Sequence, residues 1–396
     1  MRPHLCHVFP AFGNGGPEVR TAIVINATTD TFRHTILSMT ADISGSHRIQ
    51  ADDSVLERMS PPAGLGGHLR GLAQTLSRLR PDLLMTYGWG GVDALVVGRL
   101  CGLRRVIHGE DGFLPDEAQR QKTHRLIARG LALRAASRVI VPSRTLVDIA
   151  NRLWRLPPRK TCYVPNGVDS SRFSPATAGE RSVARRRFGF QDSDVVVGTV
   201  GHLRPEKNYA RLVDAFAKLP RDVRTKLLIV GDGELRSALE QQIGSLSLSD
   251  KVIFAGIVAD PIECYRAMDV FALSSDTEQM PLVLLEAMGT GLAILSTNVG
   301  DVLEMVSNAN RHYVTPLGDT DAFVGALRAL TQDAPARTRL GQMNRLHCVR
   351  LYGLRLMVER YRELYWDVLR GVPERPAPAL SPRDTRAPRS AQCQKR

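Results

Sequence analysis

The chain has 396 residues, 43% of them hydrophobic and 6% aromatic, with a formal net charge of +13. That length exceeds what one hydrophobic core usually organises, so two domains are expected. No stretch approaches the roughly 20 uninterrupted apolar residues of a membrane-spanning helix, and the first ten residues lack the long apolar centre of a secretory peptide, so a cytoplasmic protein is expected.

Apolar, β-branched runs alternate with amphipathic stretches along the whole chain, which is the pattern of parallel sheets wrapped by helices. In the first half the pattern predicts strands at 5–9, 35–39, 83–87, 105–108 and 138–141, with helices at 17–26, 68–79, 117–136 and 144–154. The stretch 157–175 holds four prolines and the pair Asn166-Gly167, breaks the rhythm and reads as a hinge. A second alternation predicts strands at 195–200, 227–230, 252–254, 270–273 and 293–296, and one long amphipathic segment, 337–369, closes the fold. Residues 371–396, rich in Pro, Arg, Ser and Ala, read as a disordered basic tail. The expected fold class is α/β, with two doubly wound, Rossmann-like domains facing across a cleft. Ligands of such sheets sit beyond the carboxyl ends of the strands, so the chemistry belongs in strand-to-helix loops.

Three of those loops stand out. The first, Phe12-Gly13-Asn14-Gly15-Gly16-Pro17-Glu18, puts glycines just before a proline suited to the first turn of a helix. Its amides could approach a phosphate, although the full G-x-G-x-x-G spacing is missing and a plain tight turn reads as well. The second, Val200-Gly201-His202-Leu203-Arg204-Pro205-Glu206-Lys207-Asn208, follows a strand with two cations that could neutralise a departing diphosphate, or simply be solvated. The third runs from Ser274 through Glu278, Gln279, Met280, Pro281 and Leu282 to Glu286 and Met288. Pro281 fits a first turn, which leaves Glu278 in the loop and Glu286 more than one turn inside the helix. A carboxylate among Leu285, Ala287 and Met288 is costly to bury unless it is bound, and sugar hydroxyls suit it. The competing reading makes Glu278 a cap and puts Glu286 on a wet face.

In these motifs the chain resembles the retaining glycosyltransferases of family 4, which have the two-domain GT-B architecture. Glu278 and Glu286 match that family's E-x7-E motif, and 200–208 matches its phosphate-contacting loop. Pro165-Asn166-Gly167-Val168-Asp169, with Arg172-Phe173, resembles its domain-junction signature. Gly15-Gly16-Pro17-Glu18 and His108-Gly109-Glu110-Asp111 resemble its N-terminal donor loop and active-site histidine loop. The resemblance implies an acceptor-side domain at 1–170, a nucleotide-sugar-binding domain at 171–350, and a helix at 351–370 that returns to the first domain. It implies that Glu286 holds ribose hydroxyls, that Glu278 approaches the transferred sugar, and that Lys207 holds the diphosphate. Gly15 and Gly16 would let the backbone approach it, and His108 would sit beside the sugar and the acceptor. Gln279, Met280, Pro281 and Leu282 complete the donor loop. Two positions depart from the family: His202 stands where Arg is common, so that Arg204 would take over the phosphate contact, and Gln279 stands where Gly is common.

The implied activity is transfer of a hexose-type sugar from a nucleotide diphosphate sugar to a glycan or lipid-linked acceptor, as in bacterial exopolysaccharide systems. No cofactor and no metal are implied. Of the two D-x-D spacings, Asp192-Ser193-Asp194 precedes a strand and Asp319-Thr320-Asp321 looks like a helix start, so both read as structural. Six scattered cysteines contain no C-x-x-C pair and read as core thiols. Residues 1–165 carry 22 basic and 13 acidic side chains, a net +9, while 166–370 balances at 25 each. A basic half without interleaved aromatics points to an anionic membrane surface on the inner face of the plasma membrane rather than to nucleic acid. Segments 66–80 and 120–138 have the spacing of amphipathic helices that could dock there. A NAD-dependent dehydrogenase and a non-catalytic membrane-surface binding protein stay as alternatives.

Overall fold

The computed structural model describes residues 1–50, 55–58, 64–113, 122–220 and 224–372. It holds two parallel sheets, as the alternation predicts. The first is built from β1 (His4–Phe9), β2 (Arg33–Ser38), β3 (Val55–Arg58), β4 (Leu83–Tyr87), β5 (Val106–Gly109), β6 (Arg138–Val141) and β7 (Thr161–Tyr163). The second is built from β8 (Val195–Val200), β9 (Thr225–Val230), β10 (Val252–Gly256), β11 (Val270–Leu273), β12 (Ala293–Thr297) and β13 (Val314–Thr315). Strand orders are β3-β2-β1-β4-β5-β6-β7 and β10-β9-β8-β11-β12-β13. Both are doubly wound: the order reverses direction between β1 and β4 in the first sheet and between β8 and β11 in the second. Crevices open at such switch points, beyond the carboxyl ends of the strands.

The strands are continuous apolar runs because helices cover both faces of each sheet. β4 and β11 are buried at every position. On one face of the first sheet Leu72, Leu76, Leu84, Leu95 and Trp154 pack together; on the other Leu5, Phe9, Phe12, Ile36, Met85 and Ile107 meet Met357, Tyr361 and Tyr365. The latter three belong to the helix Leu354–Arg370, so the end of the described chain completes the core of the first sheet.

The closing segment is two helices rather than the single one its amphipathicity predicts. Ala334–Leu351 packs on the second sheet through Leu340 and Cys348, and Leu354–Arg370 packs on the first. The break at Tyr352-Gly353 has a specific cause. The Val168 N–H donates to Tyr352 O (2.9 Å) and the Leu354 N–H donates to Val168 O (2.9 Å), so the two chain crossings between domains pair with each other. Helical i to i−4 bonding there would remove both groups from that pairing. The predicted helix at 117–136 is present as Thr123–Leu133; residues 117–121 lie outside the described residues, as does the tail from 373 onward.

Tyr361, 2% exposed, lies under the Arg20 guanidinium, whose carbon is 5.9 Å from the ring centre. Tyr361→Ala is expected to cost about 3 kcal/mol or more in urea denaturation, through cavity formation and loss of that contact. An unchanged midpoint would show that the returning helix contributes little to the first domain.

Candidate active site

At the switch point of the second sheet two loops meet, one from the end of β8 and one from the end of β11. Their backbones approach so closely to neighbouring loops that glycine is required: Gly201 has φ 153°, Gly231 has φ 129°, and a methyl at Gly231 would lie 2.0 Å from Gly201 O. The β8 and β11 loops are laced together. The Asp276 N–H donates to Glu206 O (2.8 Å), Ser274 Oγ donates to Lys207 O (3.0 Å), and the Asp276 carboxylate accepts from Asn208 Nδ2 (3.0 Å) and from Arg211 (2.7 Å). Asn208, in the left-handed region at φ 43°, also caps the following helix, Tyr209–Ala217. This lacing sets Lys207 Nζ 2.6 Å from Glu278 Oε1, which Ser275 Oγ also reaches at 2.8 Å. His202 and Arg204 are exposed on the same β8 loop.

Glu286 lies one turn into the helix Leu282–Gly289, which opens directly after Pro281. Tyr265 OH donates to Glu286 Oε2 at 2.7 Å. Tyr265 is fully buried, with its ring edge-on to Phe173, so the hydroxyl is held rigidly. Burial raises the Glu286 carboxyl above its usual range, while the Tyr265 hydrogen bond and the fields of Arg172 and Arg48 pull the other way. Arg48 belongs to the first domain, so its field reaches Glu286 across the cleft. The first-turn amides of a helix have no intrahelical partner, and here that turn faces Gly16: a methyl on Gly16 would lie 3.8 Å from Leu282 Cδ1.

The first domain binds this loop directly. Arg20, only 2% exposed, forms a two-point ion pair with Asp111, its second contact 2.7 Å long, and donates to Asn166 Oδ1 at 3.1 Å. Asn166 Nδ2 in turn donates to Met280 O at 2.7 Å. Ser143 Oγ donates to Gln279 Oε1 at 3.2 Å, and a methyl on Gly112 would lie 3.5 Å from Gln279 Cγ. Gly15, Gly16, Gln279, Met280, Pro281, Leu282 and Glu286 therefore gather at one cleft, with the Lys207–Glu278 pair on its second-domain side. His108 is placed differently. Its ring is completely buried, Nδ1 lies 2.8 Å from Thr86 Oγ1, and Nε2 lies 3.8 Å from Glu110 Oε2. Glu110 pairs with Arg129 at 3.2 Å, and the rings of Trp89, Phe113 and Trp154 surround that guanidinium. The structure thus buries His108 between Thr86 and Glu110, and among the described residues no hydrogen bond or ion pair joins it to Lys207 or Glu278.

Three of the four aspartates in the D-x-D spacings have local partners. Asp192 accepts from Ser182 Oγ (2.9 Å), Asp194 accepts the Gln191 N–H (2.8 Å), and Asp319 caps Thr320–Gln332 by accepting the Ala322 N–H (2.9 Å). A cavity of about 680 Å³ lies against the paired crossings, lined by Asp169, Ser170, Arg355, Glu359 and Arg362 among others. Sequence reasoning missed Tyr265, Arg20, Ser143 and Asp301. Only Arg20 carried a signal, a lone cation inside the apolar run Val19 to Ile25 that needs a partner if buried.

Comparison with known proteins identifies the family and the fold. Residues 180–347 match the profile "Glycosyl transferases group 1", and residues 15–167 match "Glycosyl transferase 4-like domain". The N-acetyl-alpha-D-glucosaminyl L-malate synthase of Bacillus anthracis is 30% identical over 186 residues, 47% of this chain and 49% of that protein. The UDP-Gal:alpha-D-GlcNAc-diphosphoundecaprenol alpha-1,3-galactosyltransferase of Escherichia coli is 28% identical over 306 residues, 75% of this chain and 78% of that one. Apart from the E. coli enzyme, the matches span about half the length of these relatives. Among solved structures, Anabaena HepE in complex with UDP-glucose superposes with a TM-score of 0.79 at 21% identity, covering 92% of this chain and 100% of that one, a likeness of fold.

Because burial raises the Glu286 pKa, folding favours its protonated form, and stability falls as pH rises from the ordinary carboxylate range through the raised value. Glu286→Gln should therefore be more stable than the native chain at about pH 7.5, with the gap closing by about pH 4, where both side chains are neutral. Denaturant midpoints at the two pH values check this; equal midpoints at neutral pH would mean the carboxylate is not held under strain.

Proposed function

The chain belongs to the group 1 glycosyltransferases of GT-B fold, and from that premise we propose that it is a retaining, family 4 enzyme that moves a hexose-type sugar from a nucleotide diphosphate donor to a glycan or lipid-linked acceptor in cell-surface polysaccharide or glycolipid synthesis. The observation that supports the proposal is the Lys207–Glu278 pair at the switch point of the second sheet, with Glu286 one turn into the helix that follows and the start of that helix against Gly16 of the first domain. Glu286, held by Tyr265, accepts hydrogen bonds from two ribose hydroxyls with its remaining lone pairs. Lys207, with exposed Arg204 and His202 on the same loop, meets the diphosphate; the Lys207–Glu278 pair keeps the cation in place until the donor arrives. Glu278 and Gln279 face the sugar, and the amides at Gly15, Gly16 and the start of Leu282–Gly289 add their dipoles. UDP-sugars are the first candidates, since the E. coli relative is named for UDP-Gal and the Anabaena neighbour is solved with UDP-glucose.

In the proposed step the bond between the sugar anomeric carbon and the phosphate oxygen breaks, and its electron pair goes to the phosphate. The acceptor oxygen bonds to the same face of the sugar and passes its proton to the departing phosphate oxygen, so no separate carboxylate base is needed. Lys207, Arg204 and the helix amides stabilise the charge that grows on the leaving group, so the step proceeds without a divalent ion. Nucleotide release from a panel of UDP-, GDP- and ADP-sugars tests this directly. Lys207→Ala should lose roughly 100-fold in kcat, Glu278→Ala should lose activity in the same direction, and a metal chelator should leave the native rate unchanged. Failure of every donor to bind or turn over would remove the enzyme reading.

Peripheral docking on an anionic membrane surface is part of the proposal, and the two candidate helices differ in their support. In Gly64–Leu79 the apolar side chains Leu72 and Leu76 are used up in the core. In Thr123–Leu133, Ile127 and Leu131 are 60% and 61% exposed, beside Leu100 at 82% on the neighbouring helix Val92–Leu100. Exposed Arg99 and Arg104 lie at and just after the end of Val92–Leu100, and exposed Arg134 follows Thr123–Leu133 and donates to Arg155 O. The protein should sediment with vesicles containing anionic lipid, release with rising salt, and lose binding in an Ile127→Ser, Leu131→Ser double variant. Equal sedimentation with neutral vesicles would count against this surface.

A further inference from the structure

Asp301 stands at the N-cap of the short helix Val302–Met305, where an aspartate ordinarily caps its own helix, yet its side chain makes no bond to that helix. It reaches across the domain boundary instead. Its Oδ2 accepts the Arg144 N–H at 2.5 Å, and its Oδ1 accepts the Thr145 N–H at 3.0 Å and the Thr145 hydroxyl at 2.8 Å. These are the first two amides of Arg144–Arg152, a helix of the first domain. The third amide, at Leu146, donates to Ser143 Oγ (3.0 Å), and that hydroxyl donates to Gln279 Oε1 in the second domain. The helix dipole and a nearly dry setting, Asp301 being 4% exposed, strengthen a charge-assisted contact of this kind.

The other end of the contact is welded to the donor loop. The Asp301 N–H donates to Gln279 O at 3.0 Å. Its neighbour Gly300, at φ 53°, passes so close that a methyl there would lie 2.4 Å from Glu278 O and 2.6 Å from Gln279 O. Moving Arg144–Arg152 off Asp301 therefore pulls on the backbone of Glu278 and Gln279, the residues placed next to the sugar.

We propose that Asp301 is a positioning residue that latches the second domain onto the N-terminus of Arg144–Arg152 and so couples closure of the cleft to the arrangement of the Glu278–Gln279 loop. The coupling to turnover rests on the glycosyltransferase reading; the latch itself does not. It acts through Glu278 and Gln279 and leaves Glu286 and Lys207 to bind the nucleotide. Loss of the latch should therefore lower kcat more than it weakens nucleotide affinity.

The test uses the full chain with Asp301→Ala and with Asp301→Asn, which keeps the shape but puts an NH2 group against one of the donors. Small-angle X-ray scattering, with and without UDP, and steady-state kinetics are the readouts. The latch predicts a larger radius of gyration for both variants in the free protein, only partly reversed by UDP. It also predicts a kcat lowered about tenfold or more and a UDP dissociation constant within about threefold of the native chain. Ser143→Ala, which leaves the Asp301 contacts in place, should move the same readouts less. A free-protein scattering profile unchanged in both Asp301 variants overturns the latch, as does a native kcat in Asp301→Ala. A native protein that binds no UDP would count against the donor site, while the free-protein scattering would still decide the latch.

Discussion

The buried ion pair between Arg20 and Asp111 is the contact on which the cleft depends. A guanidinium taken fully out of water is tolerated only if its partners are close and its donors are satisfied. Arg20 meets that condition with Asp111, with Asn166 Oδ1 and with the face of Tyr361. Each partner comes from a different part of the chain: the β5 loop, the hinge and the returning helix. Asn166 then hands the constraint to the second domain by donating to Met280 O. One desolvated charge thereby fixes the Gly16 helix, the hinge and the loop that carries Glu278 relative to one another.

The second-domain side shows the opposite economy, because one of its polar groups, Glu286, is held in a state that folding alone does not favour. Glu286 is half-buried with a raised pKa and one hydroxyl partner, and Lys207 and Glu278 bond to each other. A desolvated carboxylate such as Glu286 weakens a fold slightly and is retained where a ligand uses it. The cleft is thus stiff where the domains meet and under strain where a donor would sit, and Asp301 lies on the seam between the two regimes.

Much of this was legible in the sequence, for identifiable reasons. The core strands read clearly because a strand buried on both faces is an unbroken apolar run, as in β4, β8 and β11. The elements that escaped are short or out of pattern. β13 has two residues, β3 is a four-residue strand ending in Glu57-Arg58, β7 lies within the proline-rich stretch that reads as a hinge, and Val92–Leu100 is apolar on nearly all sides and shows no helical stripe. The segment from Glu278 to Glu286 stands out in the sequence because one carboxylate precedes a Pro-started helix and the other lies inside it among apolar residues. Tyr265, Ser143 and Asp301 were not, since each acts through a partner more than 20 positions away and nothing local marks it. The break at Gly353 was hidden for the same reason: its cause is a pairing with Val168, 185 residues earlier.

The central claim is that a nucleotide diphosphate binds at the β8–β11 switch point, with its ribose on Glu286 and its phosphates on Lys207. A crystal structure of the full chain with UDP bound tests it most directly. The predicted result has both ribose hydroxyls within hydrogen-bonding distance of the Glu286 carboxylate, roughly 2.6–3.2 Å, and a phosphate oxygen in contact with Lys207 Nζ. A nucleotide seated elsewhere, such as in the hinge cavity beside Arg355 and Arg362, with Glu286 still bonded only to Tyr265, would contradict it.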